Sequence, residues 1–339
     1  MTDRNAWAEP GIFEVAAGVH RIPLPLPNDG LRAVNVYAIE DGDGLTLIDS
    51  GWALTESLDL LKKSLAQIGF ELGDIRRFLV THVHRDHYSQ AVVVRRMFGS
   101  RVALGIGEVE NMDEIIASRS SIPQKLITRL TVAGGAEILR SSALAEYPLE
   151  ELDEREWSAP DDWLRHGDLI KVGNRTLTAL ATPGHTAGHV VFHDEAGGLL
   201  FSGDHILPTI TPSIGFESAP MNSPLSAYLS SLALVAALGE SKLLPAHGAV
   251  HPSTATRVRE LQDHHKQRLE VTLAAVHAGA ATAVEVSRQL KWTRHAHHFD
   301  VLNTFNQILA MNETLAHLEV LEERGAITVR TEENVKYFQ

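Results

Sequence analysis

Side chains that can bind metal ions are concentrated in one short segment of the chain. The segment reads His82-Val83-His84-Arg85-Asp86-His87. On an extended backbone, side chains two residues apart point the same way, so His82 and His84 should face one space. Asp86 and His87 follow at the predicted start of a helix and can face that space too. Because imidazole and carboxylate groups are ligands of zinc, iron and manganese, four of them in six residues predict a pair of metal ions rather than one.

Three later segments carry candidate ligands, and each stands at the end of a predicted strand. They are Thr182-Pro183-Gly184-His185-Thr186, Ser202-Gly203-Asp204-His205 and Pro245-Ala246-His247-Gly248. A rigid sheet can direct side chains from its strand ends into a cleft that loops build. We therefore expect His185, Asp204 and His247 to meet the first segment in one cleft.

The elements that would position these residues follow from the hydrophobic pattern. Short apolar runs predict strands, and apolar residues at helical spacing predict helices. The strands are expected at 20–26, 33–40, 45–48, 77–81, 101–104, 169–172, 177–182, 190–193, 199–202 and 242–245. The helices of this part are expected at 54–69, 87–98 and 224–238.

Two regions depart from this alternation. Residues 107–165 are mostly helical in pattern and contain the acidic run 146–156, Trp157 and Trp163. We interpret them as an insertion over one edge of the fold. From residue 254 to 325 the pattern is helical, and a two-stranded hairpin is predicted at 326–330 and 335–338. Helices followed by such a hairpin indicate a small winged-helix-like domain.

Taken together, the motifs resemble those of the metallo-β-lactamase-fold hydrolase superfamily, with a glyoxalase II-like metal site. The motifs are H-x-H-x-D-H at 82–87, T-P-G-H-T at 182–186, S-G-D-H at 202–205 and P-A-H-G at 245–248, preceded by Ile48-Asp49-Ser50-Gly51. The resemblance spans roughly residues 15–252 and implies an α+β fold, a four-layer αββα sandwich. We expect residues 1–255 to form this catalytic domain. Residues 256–339 resemble the winged-helix tail of a branch that contains thioesterases and nucleases.

The resemblance also implies roles for individual residues. One divalent ion would be held by His82, His84 and His185. A second would be held by Asp86, His87 and His247. Asp204 would bridge the two ions, and Asp49 would orient the ligands from behind. Zinc is the expected metal, with iron and manganese as alternatives. The chain departs from the family at Tyr88-Ser89-Gln90, where relatives often have two glycines, so bulkier side chains there could narrow the cleft.

Other residues near the motifs have two competing interpretations. Trp52, Tyr88, His205 and Phe216 are candidate substrate contacts, and core packing is the alternative for each. His189, His193 and His251 fit ordinary hydrogen-bonded or exposed histidines better than ligands. The cluster 295–298 contains three histidines and is interpreted as a solvated loop.

Composition excludes several classes of protein. The chain of 339 residues has no cysteine, which excludes disulfide scaffolds, thiolate zinc fingers, iron–sulfur clusters and cysteine nucleophiles. A net charge of −13 argues against nucleic acid or an anionic bilayer as the main partner. Because neither a signal peptide nor an apolar run of about 18 residues is visible, we expect a cytoplasmic protein without a membrane span.

Three functions are compatible with these motifs. The preferred one is a dinuclear metal-dependent hydrolase whose bridging hydroxide attacks a small ester, thioester or lactone, with Asp86 and Asp204 as catalytic residues. A thiolate leaves without much protonation, and the motifs contain no clear acid beyond Tyr88 and His205, which favours a thioester over an amide. The alternatives are a nuclease and a mononuclear iron oxygenase resembling persulfide dioxygenases. For the tail, we expect either homodimerisation or a wall of the substrate cleft.

Overall fold

The computed structural model describes residues 5–27, 30–118, 124–140, 156–292 and 297–339, and its centre is a pair of β-sheets. The first sheet contains seven strands in chain order. They are β1 (Phe13–Ala16), β2 (Val19–Pro25), β3 (Ala33–Asp41), β4 (Gly44–Ile48), β5 (Ile75–Leu79), β6 (Arg101–Gly105) and β7 (Asp162–Leu164). The first four strands pair antiparallel, and β4 to β7 pair parallel.

The change from antiparallel to parallel pairing follows from the connections. β3 and β4 are joined by the two-residue turn Gly42-Asp43, in which Gly42 has a φ of 69° that suits a tight hairpin. Parallel neighbours need a longer crossover, and helices supply it. Helix α1 (Thr55–Ala66) connects β4 to β5, and α2 (Arg85–Phe98) connects β5 to β6.

The second sheet contains five strands. They are β8 (Leu169–Val172), β9 (Arg175–Ala181), β10 (Val190–Asp194), β11 (Leu199–Gly203) and β12 (Lys242–Pro245). Their order is β12-β11-β10-β9-β8, and only β11 and β12 run parallel, joined through helix α6 (Pro224–Ala236).

The apolar residues form three separate clusters that define the layers. One cluster lies between the sheets and joins Tyr37 and Leu79 of the first to Phe192 and Phe201 of the second. A second cluster joins the first sheet to α1 and α2, and a third joins the second sheet to α6 and the C-terminal helices. The four-layer αββα sandwich predicted from the sequence is therefore confirmed.

The insertion is present but is not purely helical. Its helices are α3 (Val109–Ser118), α4 (Gln124–Val132) and α5 (Ala136–Arg140). Strand β7 then extends the first sheet beyond β6, which the sequence analysis did not predict, because a strand of three residues carries too little pattern to detect. Trp157 packs in the cluster on the first sheet. Most of the acidic run 146–156 lies outside the described residues.

The C-terminal region is mainly helical. It contains α7 (Thr254–His277), α8 (Ala283–Gln289) and α9 (Thr304–Glu323), the strand pair β13 (Lys291–Trp292) and β14 (His297–His298), and the hairpin β15 (Val329–Glu332) and β16 (Val335–Phe338). Its apolar residues share one hydrophobic cluster with the outer face of the second sheet. The winged-helix assignment and the boundary at residue 255 stay predictions. His295 lies outside the described residues. None of the described helices is long and apolar enough to cross a membrane.

The cluster between the sheets should dominate the stability of the sandwich. Phe192 is fully buried there, whereas Leu169 on β8 is 70% exposed. We expect Phe192→Ala to lower the free energy of unfolding by about 3–5 kcal/mol, because it removes buried contacts and leaves a cavity. Leu169→Ala should change it by less than about 0.5 kcal/mol. Urea denaturation of both variants measures this, and equal losses would contradict the layer assignment.

Candidate metal centre

The predicted ligands converge at one end of the sandwich. His82 and His84 follow β5, and Asp86 and His87 lie in the first turn of α2. The remaining three follow strands of the second sheet. His185 comes after β9, Asp204 directly after β11, and His247 after β12. Since all four strands end at the same side, the topology brings together residues up to 165 positions apart, counted from 82 to 247.

One group of three imidazoles forms the first half of the centre. The Nδ1 atom of His84 lies 2.9 Å from Nε2 of His82 and 3.1 Å from Nε2 of His185. Two ligand atoms each ~2.0–2.1 Å from a tetrahedral zinc ion would be about 3.3 Å apart. The three nitrogens are thus close to the separation that a shared ion requires.

A second group lies beside the first. Nε2 of His87 and Nε2 of His247 are each 3.4 Å from Oδ2 of Asp86. Asp204 lies between the groups, because its Oδ1 is 3.3 Å from Nε2 of His247 and its Oδ2 is 3.6 Å from Nε2 of His185. One carboxylate therefore presents an oxygen to each group.

Several buried atoms of these side chains have no hydrogen-bond partner among the described residues. They are Nε2 of His87, Nε2 of His247 and Oδ1 of Asp204. A buried polar atom without a partner costs about 1–3 kcal/mol unless something binds it. Imidazole nitrogen and carboxylate oxygen are donors for zinc, iron and manganese, so the residues present fit two divalent cations. The assignment of each ligand stays a prediction.

Asp49 organises the centre from behind the ligands. It accepts hydrogen bonds from the backbone nitrogen of Thr81 (2.8 Å) and from the Thr81 hydroxyl (2.9 Å), and its Oδ2 lies 2.9 Å from Nδ1 of His87. Its backbone has a φ of 59°, a left-handed conformation that costs roughly 1–3 kcal/mol in a residue other than glycine. These hydrogen bonds offset that strain and direct Nε2 of His87 toward the second group.

Backbone carbonyls orient two more ligands. Nδ1 of His185 lies 2.8 Å from the Ser213 oxygen, and Nδ1 of His247 lies 2.8 Å from the Ala33 oxygen. A carbonyl can only accept, so each Nδ1 carries the hydrogen and each Nε2 is left to face the centre.

The loop that holds His247 is anchored to the first sheet. The buried Asn35 amide donates to the carbonyls of Pro245 (2.9 Å) and Gly248 (2.8 Å). The Tyr37 hydroxyl also donates to the Pro245 carbonyl, at 2.8 Å. Sequence reasoning missed both residues, because they lie far from Pro245 in the chain. Asn35 precedes it by 210 positions and Tyr37 by 208.

The segment Tyr88-Ser89-Gln90 does not line the cleft. Tyr88 is fully buried, stacks on Trp157 and donates its hydroxyl to the Ser158 carbonyl. Ser89 accepts a hydrogen bond from the Ala53 nitrogen, and the Gln90 amide donates to the Ser50 carbonyl. Ser89 and Gln90 therefore connect α2 to the segment around Asp49, and Tyr88 connects it to residues 157–158, instead of narrowing the cleft as the sequence suggested.

The other candidate contacts separate into two kinds. His205 is fully buried, and its ring packs against Tyr228 at 5.1 Å, so this structure offers it no route to a substrate. Trp52 packs on the cluster of the first sheet beneath the Arg85 guanidinium. Phe216 borders a cavity beside His84. Of the four candidates, Phe216 alone lies against this cavity in the part of the chain that the structure describes.

His189 matches its plain interpretation, whereas His297 and His298 are exposed but lie in strand β14 instead of a loop. His189 is fully buried, with Nδ1 3.0 Å from the Thr182 hydroxyl, and its Nε2 accepts from the Asp204 backbone nitrogen at 3.2 Å.

Gly203 precedes Asp204 with a φ of 50°, and a Cβ there would lie 2.6 Å from the Thr81 hydroxyl. This crowding explains why the residue before Asp204 is a glycine.

A buried carboxylate network supports the loop of His185. The Asn111 amide donates to Glu108 (2.7 Å) and to Glu217 (2.8 Å), while Glu108 also accepts from the Thr186 hydroxyl. Burial raises the pKa of Glu108 to about 7. Sequence reasoning missed this network, because neither glutamate belongs to a motif and only the tertiary structure brings them together.

The histidine pKa values of the two groups of ligands are shifted in opposite directions. Burial, with smaller contributions from neighbouring imidazoles, lowers the pKa of His82 and lowers that of His84 to about 3. Burial likewise lowers the pKa of His185. These three imidazoles are therefore neutral and ready to bind a cation.

The second group behaves in the opposite way. Burial opposes the charged form of His87 and His247, but Asp86 and Asp204 outweigh it and raise both pKa values. The same pairing lowers the pKa values of Asp86 and Asp204 against the opposing effect of burial. Asp49 adds to this effect at His87, so without metal the carboxylates favour the protonated forms of both imidazoles.

Similarity to known proteins defines the class to which this protein belongs. The sequence pattern of the Metallo-beta-lactamase superfamily matches residues 29–247, and the chain belongs to this superfamily. The protein is thus a metallo-hydrolase by family, with histidine and aspartate clusters that could bind metal.

Individual relatives resemble the chain over nearly its whole length. A Bacillus subtilis protein named "Probable metallo-hydrolase YqjP" is 29% identical over 332 residues, which cover 94% of this chain and 96% of that protein. The crystal structure of a metallo-β-lactamase family protein from Thermus thermophilus has a TM-score of 0.77 at 26% identity, covering 96% of this chain and 99% of that one. A β-lactamase domain protein from Burkholderia ambifaria has a TM-score of 0.70 at 25% identity, covering 98% and 95%.

Metal loading should release protons in a defined order. A cation must displace the protons of His87 and His247, so we expect metal uptake at neutral pH to release protons. Because the pKa values of these histidines are raised, acidification from neutral pH should weaken this group first. The ion held by His82, His84 and His185 should persist to lower pH, because their pKa values are lowered.

Titration calorimetry in buffers of different ionisation enthalpy measures the proton release, and metal analysis after dialysis at stepped pH measures the order of loss. Metal uptake without proton release, or loss of both ions in one step, would contradict the assignment.

Asp49 gives a separate test of the supporting contacts. Asp49→Asn converts one carboxylate oxygen into an NH2 group. If this group faces His87, the contact with Nδ1 of His87 is lost. If it faces Thr81, the hydrogen bonds from Thr81 are lost. We expect metal affinity to fall roughly 10–100-fold. Asp194→Asn is the control, since Asp194 is also buried but pairs with Arg175. Competition with a chelating dye measures both affinities, and equal affinities would refute the role of Asp49.

Proposed function

We propose that this protein is a dinuclear metal-dependent hydrolase acting on a small ester, thioester or lactone. The observation that carries the proposal is the position of Asp204, whose two carboxylate oxygens face different groups of imidazoles. That arrangement suits a bridge between two cations better than a ligand of one. When bound, two divalent ions would supply hydroxide at neutral pH and polarise the substrate carbonyl.

The residues of the chain would hold and orient the reacting groups. His82, His84 and His185 would hold one cation, and Asp86, His87 and His247 would hold the other. Asp204 would contribute a carboxylate oxygen to each and, with Asp86, would accept the hydrogen bond that orients the attacking oxygen. Hydrolysis joins that oxygen to the acyl carbon and breaks the bond to the leaving sulfur or oxygen, which gives a carboxylate and a thiol or alcohol.

The surroundings of the centre favour an easily expelled leaving group. An amine must be protonated before it leaves, whereas a thiolate, with a conjugate acid of pKa ~8.5, needs little help. Tyr88 and His205 were the two candidate acids, and both are fully buried and packed on other aromatic rings. This observation supports a thioester or activated ester over an amide.

The alternatives have less support. A nuclease needs a surface that attracts phosphates, but residues 256–339 carry 10 basic and 11 acidic residues within a chain of net charge −13. A mononuclear iron oxygenase would leave Asp86, His87 and His247 without a cation. One iron per chain with oxygen uptake would favour the oxygenase, and a salt-sensitive complex with RNA would favour the nuclease.

The decisive test combines metal analysis with turnover. We expect two divalent ions per chain, and hydrolysis of acyl thioesters or lactones that chelators abolish and added zinc or manganese restores. Asp204→Ala should lower kcat at least about 100-fold, because one carboxylate serves both groups. Glu195→Ala, in an exposed turn, is the control. Activity in metal-free protein, or undiminished activity of Asp204→Ala, would refute the proposal.

A further inference from the structure

A small cavity opens directly beside the candidate metal centre. Its volume is about 100 Å³, and one wall is His84, a ligand of the first group. Val83, Ile115, Leu126 and Phe216 supply apolar walls. A substrate whose carbonyl reaches the centre would therefore place a neighbouring group next to apolar side chains.

The walls come from two different hydrophobic clusters. Val83 and Ile115 belong to the cluster on the first sheet, whereas Leu126 and Phe216 belong to the cluster on the outer face of the second. The cavity lies where the two clusters meet over the strand ends. Ile115 on α3 and Leu126 on α4 are part of the insertion, so the insertion supplies two of its walls.

The charged residue on the wall is already engaged. The Glu217 carboxylate accepts hydrogen bonds from the Asn111 amide (2.8 Å) and from the backbone nitrogens of Ala187 (2.9 Å) and Met221 (3.0 Å). Three donors satisfy the carboxylate within the protein, so Glu217 does not require a cationic or hydrogen-bonding ligand to neutralise it. The Ser218 side chain is the remaining polar part of the lining besides His84.

The C-terminal region supports one wall. The ring of Phe305, near the start of α9, meets the ring of Phe216 edge to face with centroids 5.5 Å apart. Such pairs restrict the orientation of both rings. Phe216 is consequently held against the cavity by a residue from outside the sandwich.

The geometry points to this cavity as a binding site for a short apolar acyl group, an assignment that rests on the proposed hydrolase function. An apolar cavity of ~150 Å³ is large enough for benzene, so ~100 Å³ suits a smaller group of about three to four carbon atoms. The insertion and Phe216 would then set the length of the acyl chain.

The test is a chain-length profile of the metal-loaded protein. The probes are N-acetylcysteamine thioesters from acetyl to octanoyl. We expect kcat/KM to rise roughly fourfold for each methylene that enters the cavity, and so about fifteenfold from acetyl to butyryl, and to fall for octanoyl. Leu126→Ala enlarges the cavity and should move the optimum to a longer chain.

Leu130→Ala is the matched control, because it removes the same atoms from a fully buried leucine of α4 that does not border the cavity. Ile115→Ala, at a partly exposed site, gives a second enlarging variant if Leu126→Ala does not fold. A flat wild-type profile, or the same profile in cavity and control variants, overturns the acyl site while hydrolysis itself survives. Absence of all hydrolysis refutes the proposed function and the acyl assignment with it.

A readout without turnover completes the test. Crystals of the holoenzyme under xenon pressure should show xenon in the cavity beside His84, because xenon binds dry apolar cavities. Ordered water there, with no xenon, overturns the assignment of the cavity as an apolar site.

Discussion

The arrangement of the whole molecule depends on crowding two carboxylates and five imidazoles into one buried space. Their facing atoms lie 2.9–3.6 Å apart, and moving charge out of water costs several kcal/mol per ion unless opposite charge compensates it. When no cation is bound, Asp86 and Asp204 favour the protonated forms of His87 and His247. Bound cations would satisfy the same carboxylates and the nitrogens that lack hydrogen-bond partners. Only a rigid frame can hold such a cluster, since each side chain alone would turn toward water.

Two packed sheets provide that frame. Strands from both sheets end at the same side, and the interior cluster around Phe192 and Phe201 keeps them in register. The contacts behind the ligands then determine which ring nitrogen faces inward. Asp49 does this for His87, and carbonyls of Ser213 and Ala33 do it for His185 and His247. Stability and chemistry are thus linked, because the hydrogen bonds that close the loops are the ones that orient the ligands.

The insertion and the C-terminal region converge on the same end of the molecule. The insertion contributes Ile115 and Leu126 beside His84, and the C-terminal region places Phe305 against Phe216. The helices of that region share a hydrophobic cluster with the second sheet. The insertion therefore lines the cavity beside His84, and the C-terminal region supports one of its walls. The ligand cluster itself is of a kind that many chemistries could share.

The sequence alone predicted the fold class, through its resemblance to the superfamily, and it nominated the seven candidate ligands, whose residue types stand at the ends of predicted strands. Period-two and helical patterns predict strands and helices, and the H-x-H-x-D-H segment concentrates its ligand types within six residues. Strand β7 escaped detection, since three residues carry no readable period. The places of Tyr88 and His205 in the packed interior, the Asn35 contact with the His247 loop and the Glu108–Asn111–Glu217 network were decided by the tertiary structure. Each depends on which residues distant in the chain become neighbours, and burial and hydrogen-bond partners are properties of that packing rather than of local pattern.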